Sequence, residues 1–586
     1  MIDHSKGVTM DRWITDTEQS ERFPIYTRGN ADEVGPDPFT PLNWSLAWEQ
    51  GVVPGTAWGW IHLGTFKEQE FLWTQPETYG SWGGYFYNQV SVGRVFGHRM
   101  PGLTADAIDV SFFGQNPAVP KYVEDPRDND EECSAALGAT FAGILGNSQQ
   151  PLLDEFVAEV KAWVASRPDL SSVSDAELVE YGRAMAKRQN RTWDVYAQIV
   201  VGATVGPAIV QGVADAVCKP ELGVMIFAAL GEVASAGVPE RIWELSRMVN
   251  GSPEVGSAFD EGVEGLHERL AALPAAASFN VAFAGLLNEF GHRGVNEWEL
   301  SADTWRINPS LAYDMINRVR KQDDSSSPAI RSAQSMANRI AAEAELSALV
   351  AGDEATAGML AAGINSGQMS YRMREAGKNA AVRLFHEPKL AFRELGRRMH
   401  ERGSIADPMD IFMLLDSEMD GFLADQSGWS TTLAQRSVDF ATLKDLDPPY
   451  VVMHGQQIPP ISEWPRKGAS GGAAEAPGTV IKAVAGSPGA VTARTRVISD
   501  LSHAGDLEPG EILVCTTTDP SWVPLFMIAS AVICEIGAPG SHAVIVSREI
   551  GVPCVVSLLG ASHKLPTGTL VELNGSAGTV TVVESV

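Results

Sequence analysis

The chain has 586 residues, of which 44% are hydrophobic and 20% are charged. This length and composition are typical of a globular protein with several domains and a sizeable core. The formal net charge of −29 argues against a surface that binds nucleic acid or an anionic membrane. We therefore expect neither nucleic acid nor membrane as a partner.

The cysteines and the polar N-terminus indicate a cytoplasmic location. Five cysteines are an odd number, and no pair has the spacing of metal ligands or of a disulfide framework. The N-terminus has no apolar segment typical of a signal peptide. The most apolar stretch, residues 200–231, is interrupted by polar residues and predicts buried helices. We expect no bound metal.

The first 130 residues are aromatic and punctuated by Pro and Gly, which predicts short strands and irregular structure. Seven of the fifteen tryptophans lie before residue 83. Aromatic side chains bury much area, which favours a core role. Their density in a loop-rich segment also suits a pocket for a flat apolar substrate. Residues 28–34 predict a tight turn, and a helix is expected from about Leu42.

The middle of the chain is predicted to be mainly helical. Apolar residues spaced by three and four predict helices over 151–166, 175–190, 257–273, 328–350 and 390–402. The polar segment 323–327 predicts a loop that leads into the fourth of these helices.

Two clusters in this helical part suit phosphoryl chemistry. His292 and Arg293 stand between two glycines, with Glu297 downstream. They suggest a general base beside an anion clamp, or a structural loop anchored by a buried ion pair. Arg374 and Lys378 share a helix face by their spacing of four. Such a pair suits a phosphoryl group, although a solvated basic face is the other interpretation.

The segment 465–478 is rich in Gly, Ala and Ser and predicts a flexible linker. It separates a predicted large domain, 1–464, from a predicted small domain, 479–586. Strand-like runs follow the linker, and Asn574-Gly575 is a hairpin signal. These runs span 492–498, 511–516, 531–534, 553–558, 569–573 and 579–583.

His542 follows a Gly/Pro turn, and the pattern places it in the first turn of a helix that Gly551 and Pro553 end. A helix N-terminus offers free N–H groups and positive dipole charge, which suits a histidine that carries a phosphoryl group. A capped helix start with a solvent-facing histidine is the alternative.

This stretch resembles the phosphohistidine domain of the phosphoenolpyruvate-utilising enzymes. The family motif has Thr where this chain has Gly540, and often Gly where it has Ser557. The resemblance implies that His542 carries the phosphoryl group on a swivelling domain. The matching residues are Ser541, His542, Ala543, Ile545, Arg548, Glu549, Gly551, Pro553, Val555 and Val556.

Other segments resemble the acceptor-binding domain of rifampin phosphotransferase and its relatives. The resemblance implies an α+β multidomain protein, with a large, mainly helical acceptor-binding domain and a small β/β/α swivelling domain. It also implies that Arg374 and Lys378 face the phosphohistidine. The acceptor-binding segments contain Arg28, Asn30, His292, Arg293 and Glu297.

The source of phosphate is expected on another chain. The acceptor-type motif begins at Arg28, which leaves no room for an ATP-binding domain before it, and the sequence contains no Walker-type phosphate loop. The layout resembles the phenylphosphate and cresol-phosphorylating synthases. It implies Mg-ATP supplied through a separate ATP-grasp subunit, no tightly bound cofactor on this chain, and a phenolic acceptor. An antibiotic hydroxyl as acceptor, or a non-catalytic phosphoryl carrier or regulatory module, are the alternatives.

Overall fold

The structure is a computed structural model that describes residues 10–29, 31–113, 119–146, 151–231, 237–467, 473–499, 505–518, 522–538 and 541–586. The chain divides into two compact units. Unit 1 comprises Met1–Gly202, Asn296–Ala302 and Gly377–Gly471, and unit 2 comprises Ala203–Val295, Asp303–Ala376 and Gly472–Val586. The domain boundaries predicted at 464 and 478 stay predictions.

Unit 1 is mainly helical and contains a small antiparallel sheet. Its strands are β1 Ile25–Thr27, β2 Tyr79–Trp82, β3 Tyr85–Gln89 and β4 Val451–Met453, in the order β2-β3-β1-β4. Its helices are α1 Ala31–Val34, α2 Val53–His62, α3 Val90–Arg99, α4 Ala105–Phe113, α5 Glu131–Gly146, α6 Pro151–Ala165, α7 Asp175–Lys187 and α8 Gln189–Gly202.

The helix predicted from about Leu42 is present, and it contains a π-helix over Asn43–Val52 that continues directly into α2. Glycines at a spacing of four let this helix approach α8. A Cβ on Gly55 would lie 2.4 Å from the backbone oxygen of Asn190, and one on Gly59 would lie 2.7 Å from the Ala197 side chain. Only glycine fits at this contact.

The N-terminal tryptophans mostly form the core of unit 1. Trp13, Trp44, Trp48 and Trp82 are each at most 4% exposed and belong to one apolar cluster. The core role is therefore confirmed for these four rings. Trp73, in contrast, is 44% exposed.

The helical part of unit 2 shares one apolar core with the C-terminal β region and contains a second, smaller apolar cluster of its own. The helix α17 begins in unit 2 and continues into unit 1. The helices that begin in unit 2 before its β region are α9 Val205–Ala216, α10 Pro220–Met225, α11 Gly237–Asn250, α12 Pro253–Asp260, α13 Leu266–Ala272, α14 Ala277–Phe290, α15 Ser310–Val319, α16 Pro328–Val350 and α17 Glu354–Glu401. Two further helices of unit 1 follow, α18 Asp416–Ala424 and α19 Trp429–Leu443.

Two of the helix predictions differ from the structure. The helix predicted over 257–273 is broken between α12 and α13, because Gly262 and Gly265 adopt left-handed φ angles of 96° and 63°. The helix predicted over 390–402 is only the end of α17, which has 48 residues and contains Pro388. Proline usually ends a helix, which explains the short prediction.

The C-terminal part of unit 2 is an eight-stranded mixed sheet in the order β5-β12-β11-β7-β8-β9-β10-β6. All six predicted strands are present, and the turn after Asn574 joins β11 to β12 as expected. The first two strands in chain order, Val480–Lys482 and Val484–Ser487, were not predicted. The elements are β5 Val480–Lys482, β6 Val484–Ser487, β7 Ala490–Val497, β8 Ile512–Cys515, α20 Val523–Ile528, β9 Ala531–Cys534, α21 His542–Ile550, β10 Cys554–Val556, α22 Ala561–Lys564, β11 Leu570–Asn574 and β12 Thr579–Glu584.

A mostly helical protein with a C-terminal β region is thus confirmed. The five cysteines are free, and Cys515, Cys534 and Cys554, which lie in strands, are buried. One helical stretch, Asp175–Ala216, is long and apolar enough to cross a membrane, and half of its most apolar window is buried inside the protein. Core helices of water-soluble proteins have the same property.

Candidate functional site

The helix that begins at His542 has the predicted bounds. Ser541 precedes it in an extended conformation, and the helix ends at Ile550. Gly551 follows with a left-handed φ of 72°, and its N–H donates to the Ser547 carbonyl. Glycine adopts this φ without the penalty of a side chain, so it ends the helix here.

The imidazole of His542 is buried, and its Nδ1 has a hydroxyl neighbour. The side chain is 7% exposed, so the alternative of a solvent-facing histidine is wrong. Its Nδ1 lies 3.1 Å from the Thr518 hydroxyl. The ring also meets Phe526 edge-on, with 6.2 Å between centroids. Thr518, which sequence reasoning missed, therefore fixes the orientation of the ring.

Two buried hydroxyls belong to residues next in sequence to His542 and to its partner Thr518. The Oγ of Ser541 and the Oγ1 of Thr517 have no hydrogen bond among the residues that the structure describes. The first-turn N–H groups of any helix also lack intrahelical acceptors. Buried donors usually find partners, so this surface is suited to an anion that would supply acceptor oxygens.

The chain departs from the family motif at Gly540 and Ser557, and the structure describes only the second of these residues. Gly540 lies outside the described residues. Ser557, which replaces the frequent glycine, has a φ of 60°. Glycine is favoured at such an angle, which accounts for the family residue. The Ser557 hydroxyl donates to the Gly537 carbonyl, in the loop that leads to His542.

His292 and Arg293 lie in a tightly folded loop of unit 2. They are 5% and 2% exposed. The Arg293 carbonyl accepts from the Trp305 N–H at 2.8 Å. A Cβ on Gly294 would lie 2.3 Å from the backbone oxygen of Asp303, so close backbone packing explains this glycine. A role of His292 as a base stays a prediction.

Glu297 belongs to unit 1 and is 5% exposed. Its neighbour Glu299 accepts from the Thr40 hydroxyl at 2.7 Å and from the Thr40 N–H at 3.0 Å. Glu299 therefore anchors the start of the N-terminal helix. Substrate binding by Glu297 stays a prediction.

Arg374 and Lys378 both lie on α17, so their predicted common helix exists. Further along, in unit 1, α17 carries a buried polar run that the sequence did not single out. His386, Glu387 and Lys389 are 4%, 1% and 1% exposed. Because Pro388 suggested a helix end, these residues were not placed on a helix.

Arg28 is 2% exposed, and its guanidinium makes contacts within unit 1. It donates to the carbonyls of Phe86 and Gly35 and forms an ion pair with Asp32. The Tyr85 ring lies 5.1 Å away. The other predicted residue of this turn, Asn30, lies outside the described residues. Substrate binding by Arg28 stays a prediction.

Comparison with known proteins identifies two segments. Residues 507–578 match the mobile domain of the PEP-utilising enzymes, and residues 198–375 match the fourth domain of rifampicin phosphotransferase. The C-terminal segment is therefore assigned to the mobile-domain family of the PEP-utilising enzymes. Both matched segments fall almost wholly within unit 2.

The relatives are all longer than this chain. An uncharacterized protein of Mycobacterium tuberculosis is 27% identical over 97% of the chain and 62% of its own length. The prodigiosin synthesizing transferase PigC of Serratia marcescens is 30% identical over 61% of the chain and 40% of its own length. Rifampicin phosphotransferase of Bacillus subtilis is 25% identical over 54% of the chain and 36% of its own length. The chain thus spans less than two thirds of each.

The end of the His542 helix makes polar contacts with the fourth-domain segment, beside an apolar cluster that the two segments share. Arg548 donates to the Gly486 carbonyl at 2.7 Å and to the Tyr371 hydroxyl at 3.3 Å. Glu549 accepts from the Leu230 N–H at 3.2 Å. Burial raises the pKa of Glu549, because the charged carboxylate is less well solvated there. The motif named these two residues, but only the structure gives their partners.

Proposed function

We propose that this chain is the acceptor-binding and carrier part of a cytoplasmic phosphotransferase, and that His542 carries the phosphoryl group. One observation supports this most strongly: a buried imidazole, oriented by Thr518 at Nδ1, lies at a helix start beside the unpartnered hydroxyl of Ser541. The match to the mobile domain of the PEP-utilising enzymes supports the same assignment.

In the first step, His542 takes a phosphoryl group from ATP. Mg-ATP would be bound by a separate ATP-grasp subunit. With Nδ1–H donating to Thr518, the lone pair of Nε2 attacks phosphorus, and an N–P bond forms as the P–O bond to the rest of the ATP breaks. The Ser541 hydroxyl and the first-turn N–H groups then donate to the phosphoryl oxygens.

In the second step, the phosphoryl group passes to the hydroxyl of a phenol or cresol. The 465–478 linker would let the small domain move to the acceptor, and this movement would limit turnover. An O–P bond forms as the N–P bond breaks, and the phenolic proton passes to a base, for which we propose His292. Arg374 and Lys378 would stabilise the charge on the equatorial oxygens of a loose transition state.

A second candidate acceptor is the hydroxyl of an antibiotic. The relatives named rifampicin phosphotransferase favour this candidate. The third hypothesis is a non-catalytic carrier or regulatory module. It requires phosphate on His542 without any small-molecule acceptor.

The test is to incubate the chain with Mg-ATP, with and without the ATP-grasp protein, and then to add phenol, p-cresol or rifampicin. Mass spectrometry in alkali follows phosphate on His542. We expect phosphorylation only with the partner, and discharge by a phenol. Discharge by rifampicin alone would make the acceptor an antibiotic. A protein that never carries phosphate on His542 would contradict the proposal.

A further inference from the structure

Unit 1 contains a cleft of about 270 Å³ that the phosphohistidine chemistry does not explain. One wall is the end of the π-helix and the first turn of α2, and the other is the segment 71–78. Its lining combines apolar side chains with two glutamates, Glu49 and Glu77, and with Thr74, Gln75 and Thr78. The residues that matter most for its chemistry are Glu49, Val53, Pro54, Ala57, Leu72 and Trp73.

Two adjacent large apolar side chains of this cleft are exposed although their segment is firmly held. Leu72 is 53% and Trp73 is 44% exposed. The buried carboxylate of Glu77 accepts from the Leu72 N–H and from the Ser20 hydroxyl. The Thr78 hydroxyl donates to the Val53 carbonyl at 3.0 Å, which ties the segment to α2. The cleft is therefore preformed.

The indole of Trp73 is fixed in orientation. Trp58 stacks on it with 5.0 Å between centroids and 29° between planes. Its N–H donates to the Glu68 carbonyl at 3.3 Å. An exposed ring that is held by stacking and a hydrogen bond offers contact area at little further entropic cost.

The size and polarity of the cleft narrow the class of ligand. A cavity of roughly 150 Å³ accepts benzene, whereas drug-sized ligands need about 300–1,000 Å³. This cleft therefore suits one substituted ring. Glu49 is exposed, and in its ionised form it accepts hydrogen bonds only, so it favours a ring that carries a hydroxyl donor.

We propose that this cleft binds a single-ring aromatic hydroxyl compound, with the ring against Trp73 and the hydroxyl donating to Glu49. The proposal rests on the proposed function only in identifying the bound compound as the phosphoryl acceptor. Binding itself is independent of His542.

Saturation-transfer NMR on the full chain, with phenol and toluene as probes, tests the cleft. We expect Trp73→Ala to weaken phenol binding by about 10-fold, because stacking on the indole is lost. Glu49→Gln should weaken phenol binding and leave toluene binding unchanged. Ile14→Ala is the matched control, since Ile14 is also an exposed apolar residue of unit 1 and is 41% exposed. Leu72→Ser is the second cleft variant if Trp73→Ala does not fold.

Equal phenol binding by the wild-type chain and folded cleft variants would overturn the proposal, as would the absence of phenol binding. Failure of the cleft is distinguishable from failure of the proposed function. Phenol bound in the cleft, with His542 never phosphorylated, would keep the site and reject the phosphotransferase. Discharge of phosphohistidine by phenol with an unchanged KM in Trp73→Ala would reject the site and keep the phosphotransferase.

Discussion

Sequence motifs predicted functional roles for both Arg28 and His542, but the two side chains differ in their hydrogen-bond partners. The guanidinium of Arg28 is occupied by the Phe86 and Gly35 carbonyls and by Asp32. His542 is held at Nδ1 by Thr518, and the hydroxyl of its neighbour Ser541 has no partner among the described residues.

The comparison shows how a buried polar residue that supports the fold differs from one that suits chemistry. In the first region, two carbonyls and a carboxylate accept from the terminal nitrogens of the guanidinium, while its Nε has no hydrogen bond among the described residues. In the second, the protein orients a nucleophile and leaves buried donors nearby for a ligand. A shared family motif does not separate these cases, because it fixes residue types and not their partners.

Arg28→Leu should give the largest effect on stability. Removing one partner of a buried ion pair typically costs about 3–5 kcal/mol, since the other charge and the carbonyls lose their donor. Thermal or denaturant unfolding of unit 1 measures this loss. A variant of wild-type stability with a raised KM for the acceptor would instead make Arg28 a substrate-binding residue.

Arg374→Ala should slow the discharge of phosphohistidine and leave the loading of His542 unchanged. Loss of one donor to transition-state charge costs roughly 10²–10³ in rate. Rapid-quench measurement of the two half-reactions separates them, and Arg374→Lys is the control that keeps the charge. Full discharge rates in Arg374→Ala would remove this residue from the site.

Gly55→Ala should destabilise unit 1 by about 1–3 kcal/mol, because the new methyl group meets the backbone of Asn190 on α8. Gly212→Ala is the matched control in α9. No atom lies within 4 Å of a Cβ added at Gly212, so alanine should stabilise that helix by about 0.5–1 kcal/mol. Equal effects of the two substitutions would contradict the packing of α2 on α8.

Glu549→Ala should loosen the mobile domain by about 1–3 kcal/mol, because the buried Leu230 N–H loses its acceptor. Glu549→Gln keeps an acceptor and removes the charge. Because burial raises the pKa of Glu549 in the folded protein, wild-type stability falls as pH rises from its ordinary value towards the raised one. Glu549→Gln should therefore gain stability relative to wild type as pH rises. Hydrogen exchange at Leu230 between pH 4 and 8 checks this, and a pH-independent difference would contradict it.

The sequence predicted the local elements better than their partners. The His542 helix and the strand Ala531–Cys534 agree with prediction because their breakers and apolar runs are local signals. The short strands Val480–Lys482 and Val484–Ser487 were missed because they are stabilised by pairing with distant strands.

The same limit applies to the candidate site. The Gly/Pro turn and helix signals located His542, but Thr518 precedes it by 24 positions, and nothing in its spacing indicates contact with the imidazole. The Trp-rich segment predicted a core or a pocket. Four of these seven rings belong to the core of unit 1 and Trp73 lines a cleft, a distinction that depends on tertiary contacts.

The most direct test of the central claim is to locate the phosphoryl group on the chain after incubation with Mg-ATP and the ATP-grasp partner. Phosphorus NMR at alkaline pH, combined with peptide mapping, identifies both the residue and the ring nitrogen. We predict a single phosphohistidine at His542, bonded through Nε2, formed more slowly in Thr518→Val and at near wild-type rate in Thr518→Ser. Phosphate at another residue, or at Nδ1 of His542, would contradict the account.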